Sequence, residues 1–152
     1  MSRQRAKRIQ PLIQIAKNAV QEAMVYMGQL QQSIDTETQK KETLIEYQSE
    51  YQSGFKKKGL AGVKGLEIQQ FESFMLQIND AMEKQSSQVM QLTAQLERAR
   101  GIYIDLNQRL KSYEKLQERL VDQAIKIENT QLQKMLDEIG SQLHRMRHEQ
   151  SN

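Results

Sequence analysis

Few residues of this chain have the types and spacing that chemistry requires. His144 and His148 stand four residues apart, which sets two imidazoles on one helix face as a metal would need. No third ligand converges on them, and Arg145 and Arg147 place positive charge in between. Charge suited to a helix C-terminus is the better account of the pair. Gly54, Gly59, Gly62 and Gly65 lie among Lys56, Lys57, Lys58 and Lys64, but a phosphate-cradling loop needs a spacing that ends in Gly-Lys-Ser/Thr, which this segment lacks. The carboxylates are distributed over exposed helix faces, where paired acid–base chemistry has no pocket. With no cysteine, disulfides and thiolate metal sites are excluded. No enzymatic activity, cofactor or metal is expected. The chemistry left to this chain is recognition.

The elements that would present such surfaces are long helices. Hydrophobic residues make up 38% of the chain and aromatics 5%, poor material for a globular core but the usual mix of helices that bury one stripe. From Ile68, steps of three and four residues meet Phe71, Met75, Ile78, Met82, Gln85, Val89, Leu92, Leu96 and Ala99. They continue through Tyr103, Leu106, Leu110, Tyr113, Gln117, Leu120 and Ala124 to Ile127. Only Gln85 and Gln117 are polar. A strict seven-residue repeat of that length follows the seam of a left-handed supercoil and not one face of a straight helix.

A second register lies upstream. Ile9, Leu12, Ala16, Ala19, Ala23, Tyr26 and Leu30 occupy the seam positions, flanked by Ile13, Val20, Met27 and Ile34. That stripe is wider than a two-stranded coil needs. Ser33, Glu37 and Lys40 then weaken the seam, and Leu44, Tyr47 and Tyr51 restore it. The sequence therefore predicts one all-α coiled-coil domain over 1–152, an antiparallel hairpin of two long helices with a C-terminal helical overhang. Its parts are a basic tail at 1–10, a first helix at 11–53 with Pro11 in its first turn, a Gly/Lys-rich turn at 54–65, a second helix at 66–148 and a tail at 149–152.

Helices of these lengths span roughly 65 Å and 125 Å. Reversal about residue 60 opposes residue i to one near 120 − i, so Ile9 falls near Lys111 and the first helix covers the second only to about Gly101–Leu110. Beyond Ile127 the apolar register slips to Leu132, Leu136, Ile139, Leu143 and Met146. An uncovered apolar stripe of that kind should dock into something. Phe74, Ile78, Ala81 and Gln85 present a further narrow face near the loop end. Either widened packing, self-association or partner proteins would occupy such faces.

Three stretches give the chain a resemblance. Leu44-Ile45-Glu46-Tyr47-Gln48-Ser49-Glu50-Tyr51, Gln70-Phe71-Glu72-Ser73-Phe74 and Tyr113-Glu114-Lys115-Leu116-Gln117-Glu118-Arg119 look like the flagellar export protein FliJ family, and the similarity extends over most of the chain. The family is a small cytoplasmic antiparallel coiled coil of the bacterial flagellar type III export apparatus, similar to the central stalk of rotary ATPases. The resemblance implies that the terminal end enters the pore of the hexameric export ATPase, promoting ring assembly and hydrolysis. It implies a second contact with the cytoplasmic domain of the export-gate membrane protein, and for some members a contact with export chaperones. Phe74, Ile78, Ala81 and Gln85 match the family's gate-contacting positions, with Gln85 in place of a frequent His.

For the ATPase contact, exposure alone nominates Ile13, Val20 and Met27 with Leu132, Leu136 and Ile139. The implied location is cytoplasmic, at the inner-membrane face of the flagellar basal body. Nothing in the chain approaches a membrane span or signal peptide, so direct membrane insertion is not expected. Nucleic acid is not an expected partner either; a nucleic-acid binder using the basic tail and loop is a rival class, for which a steep salt dependence of DNA binding would be required. A virulence-type secretion homologue and a purely structural, self-associating coiled coil are the alternatives.

Overall fold

A computed structural model describes residues 2–151. It consists of two helices, α1 (Ser2–Ala61) and α2 (Gly65–Gln150), packed as an antiparallel coiled-coil hairpin. The expected tails at 1–10 and 149–152 include Met1 and Asn152, which lie outside the described residues. The two helices contribute to two compact units. One joins residues up to Gln21 with those from Asp105 onward, and the other is Glu22–Ile104.

The reversal is shorter than the glycine pattern predicts. α1 continues through Gly54 and Gly59 to Ala61, and α2 begins at Gly65. Gly62 alone takes a left-handed conformation, with φ of 98°, and its N–H bonds the Gly59 carbonyl. That is the work a glycine does just past a helix end, where a Cβ would be strained. Gly54 and Gly59 each cost the helix about 1 kcal/mol. Aromatic packing offsets that cost: the Phe55 ring stacks on Phe71 at 4.0 Å between centroids, and Tyr51 stacks on Phe71 at 5.6 Å.

Within Glu22–Ile104, the seam centres on Leu30, Leu96 and Ala99, with Met27, Ile34 and Leu92 packed around them. The polar patch of α1 is matched across the seam. Gln85 donates to the Glu37 carbonyl at 3.0 Å and to the Glu37 carboxylate, which also accepts from Lys40 at 3.3 Å. Nearer the turn, Gln48 donates to Asn79 at 2.8 Å. A polar layer of this kind fixes register, because sliding the helices would bury its members unpaired. Gln85→Ala is expected to lower stability by about 1 kcal/mol, read as a lower urea midpoint with unchanged helical signal.

In the other unit, the basic start of α1 is helical where a tail outside the first helix was expected. Three contacts hold it. Ala6 is buried against α2, Gln117 donates to the Ala6 carbonyl at 3.1 Å and to the Gln10 side chain at 2.8 Å, and Arg3 forks onto the Glu128 carboxylate at 2.6 and 3.0 Å. Pro11 consequently sits inside α1 and not in its first turn. Its missing N–H leaves the Lys7 carbonyl without the usual bond.

These contacts also shift the pairing. Arg3 meets Glu128, where reversal about residue 60 would set it near residue 117, so α1 covers α2 well past Leu110. The hydrogen bond from Arg3 holds the Glu128 carboxyl below its ordinary range and raises the guanidinium further. A depressed folded value means the bond is intact above the ordinary carboxylate range and lost as pH falls through the depressed one. Amide exchange in the first turns of α1, corrected for intrinsic rates, should therefore quicken on acidification across that window. Glu128→Gln should quicken it at neutral pH.

The seam of α2 runs as predicted from Phe71 to Ala124, while Ile68 and Ile127 at its ends are exposed. The seam of α1 keeps the predicted Ile9, Ala16, Ala23 and Leu30, but its alternate positions lie one residue further on than predicted. Ile13, Val20, Met27 and Ile34 face inward; Leu12 and Tyr26 face out. Helix geometry allowed either choice on so wide a stripe. In three of the four adjacent pairs the inward position went to the side chain with more hydrocarbon or no hydroxyl, Val20 beside Ala19, Met27 beside Tyr26 and Ile34 beside Ser33, and Ile13 shares their register.

Candidate partner-binding surfaces

The first surface is the overhang. Every described residue beyond Ala124 is exposed, and Glu128 is the last one that α1 holds. Leu132, Leu136, Ile139, Leu143 and Met146 follow at alternating steps of four and three, each about half exposed. A free-standing helix of this length would be marginal in water, but here it extends a helix already nucleated, so each added residue propagates at little cost. Local bonds assist: Thr130 donates to the Lys126 carbonyl at 2.9 Å, and Gln133 to Asp137 at 3.3 Å. The result is a single continuous helix with an apolar stripe and no partner among the described residues.

The α1 residues nominated beside it are elsewhere. Ile13 is 2% exposed and Val20 9%, and Met27 packs on the Leu30 cluster of the other unit. They form the hairpin's own seam and are not open to a partner. The apolar α1 residues that do reach the surface near the overhang's base are Leu12 and Ile15, which the sequence reading placed in the seam or passed over.

The second surface lies near the turn. Phe74 and Ala81 are half-buried, Ile78 is buried at 6% exposure, and Gln85 is engaged by Glu37. The Phe74 ring packs on Tyr51 at 4.2 Å, tilted by 46°. This face is therefore less open than its spacing suggested: only the edges of Phe74 and Ala81 are free to meet a partner. On the same unit, Tyr47, Tyr51, Phe55, Glu50, Glu67 and Gln70 line an open groove of about 400 Å³. Its signal was present in the sequence as Tyr47, Tyr51 and Phe55 at steps of four. Tyr47 was read there as seam; it is exposed.

Two long helices packed along one seam, with apolar stripes left exposed, define a coiled-coil hairpin protein. The family model described as "Flagellar FliJ protein" matches residues 5–149. The chain belongs to the FliJ family, and with it to the components of flagellar protein export. It is 25% identical over 126 residues to the "Flagellar FliJ protein" of Escherichia coli (strain K12), covering 83% of this chain and 86% of that one. It is 25% identical over 132 residues to the "Flagellar FliJ protein" of Salmonella typhi, covering 87% and 90%. No solved structure matches the chain. Among the described residues, no helix is long and apolar enough to cross a membrane.

Proposed function

We propose that the chain is the stalk-like, non-catalytic coiled coil of a flagellar export apparatus: it binds the hexameric export ATPase, promotes ring assembly and activity, and links the ring to the export gate. The observation that carries this reading is the uncovered stripe of Leu132, Leu136 and Ile139 on the helix beyond Glu128. A hydrophobic stripe on a single helix is narrow enough to enter a ring and has no use inside the hairpin. Ile13, Val20 and Met27 drop out of the ATPase contact because the hairpin itself buries them.

The gate contact rests on the edges of Phe74 and Ala81, with Ile78 and Gln85 behind them as support. Export chaperones are further partners on this reading, and its location is the cytoplasmic face of the inner membrane at the basal body. Because the chain has no cysteine, a single Leu136→Cys carries one thiol-directed photocrosslinker without background. It is expected to crosslink the export ATPase, and a crosslinker at Gln52, on the other unit, is not. Crosslinking only to a second copy of the chain would replace this reading with self-association.

A further inference from the structure

The turn carries a charge and shape that neither the ATPase nor the gate reading uses. Lys56, Lys57, Lys58 and Lys64 are all exposed, with no acidic residue between Phe55 and Leu66. Among the described residues, none of the four has a carboxylate within ion-pair distance, although Lys40, Lys84, Arg3 and Arg100 each do. Leu60 stands in the middle of this cluster at 92% exposure, one turn beyond Lys56 and Lys57 on α1, and Leu66 is exposed where α2 begins. Leu60 is the most open large apolar side chain among the described residues. A solvated basic loop has no need of a leucine presented so fully.

The geometry points to the hairpin turn as a contact for an anionic membrane surface, with the lysines on lipid headgroups and Leu60 seated at the headgroup–acyl boundary. Basic clusters are drawn to acidic lipid within about a Debye length, and a shallow apolar anchor adds area to that attraction. An acidic protein face would match the lysines but gives no reason for Leu60 to project. Nor does the contact need a spanning segment. The short 62–64 turn sets Leu60 and Lys64 at one end of the Glu22–Ile104 unit, with Lys58 along the aromatic groove and Lys56 along a separate one.

The test is sedimentation of the full chain with vesicles of phosphatidylcholine alone or with added phosphatidylserine. Binding is expected only with phosphatidylserine, weakening as salt rises. Replacing Lys56, Lys57, Lys58 and Lys64 by Gln should weaken it roughly fivefold per lysine. Leu60→Gln, which leaves every charge and a helical position intact, should weaken it roughly tenfold. Replacing Arg5, Lys7 and Arg8 by Gln should leave most of the affinity, and circular dichroism should show all variants helical. Three results overturn the inference: no preference for phosphatidylserine, loss that follows Arg5, Lys7 and Arg8 instead, or Leu60→Gln binding as tightly as the parent. Binding to soluble poly-glutamate that is equally strong and indifferent to Leu60 would assign the tip to an acidic protein.

Discussion

Replacing Leu132 and Leu136 by Asp is expected to abolish binding to the export ATPase while leaving the hairpin's helicity and melting almost unchanged. Both residues are half exposed and touch nothing in α1, so the folded chain loses no packing when they become charged. A partner that closes over them would instead have to bury two carboxylates without counter-charges. That penalty amounts to several kcal/mol, enough to lower affinity by a thousandfold or more. Calorimetric titration of the variant into the ATPase reads the effect. Binding within a few-fold of the parent would remove Leu132 and Leu136 from the contact.

The opposite pattern is expected in the seam. Ile13→Ala deletes buried hydrocarbon from a position 2% exposed and should destabilise the chain by about 2–4 kcal/mol, with Ile78→Ala comparable. Leu132→Ala, the same kind of truncation on the overhang, should stay within about 0.5 kcal/mol of the parent. Urea unfolding distinguishes the two classes. The two sites belong to different compact units, Ile13 with the segments around Ala6 and Leu110, Ile78 with Glu22–Ile104, so unequal loss by different probes would show that they unfold separately. An Ile13→Ala chain as stable as the parent would contradict its place in the seam.

How much of this was legible in the sequence follows from what helices announce. The seam of α2 could be read from Phe71 to Ala124 because an apolar residue occupied every step except Gln85 and Gln117. On α1 two adjacent positions were apolar at most steps, and periodicity does not choose between Leu12 and Ile13. Leu12 and Ile13 carry equal hydrocarbon, so the choice follows from the register in which Val20, Met27 and Ile34 pack against α2, a property of the pair and not of one helix. The glycine cluster misled for a related reason. Composition at Gly54 and Gly59 reads as a break, yet the stacking of Phe55 on Phe71, sixteen residues onward, keeps the helix going. The basic tail became helix through Glu128 and Gln117, partners more than a hundred residues away that a local reading does not connect to it.

The same limits shaped the candidate surfaces. Leu132, Leu136 and Ile139 were identifiable because nothing in the chain remained to cover them, and the earlier start of α1 moves the edge of the overhang without reaching them. Ile13, Val20 and Met27 were misassigned together, as one register error must do. Phe74, Ile78, Ala81 and Gln85 share a face by spacing. Ile78 and Gln85 already stand in the seam that the α2 repeat predicts, whereas the commitment of Gln85 to Glu37 depends on which residue of α1 lies opposite.

The central claim is tested most directly by the hydrolysis rate of a purified flagellar export ATPase, with the chain absent and then added at sub-stoichiometric amounts. The account predicts a higher rate together with ring formation from the parent chain, and neither from the Leu132→Asp, Leu136→Asp variant. An unchanged rate with the parent, or full stimulation by the variant, would contradict it.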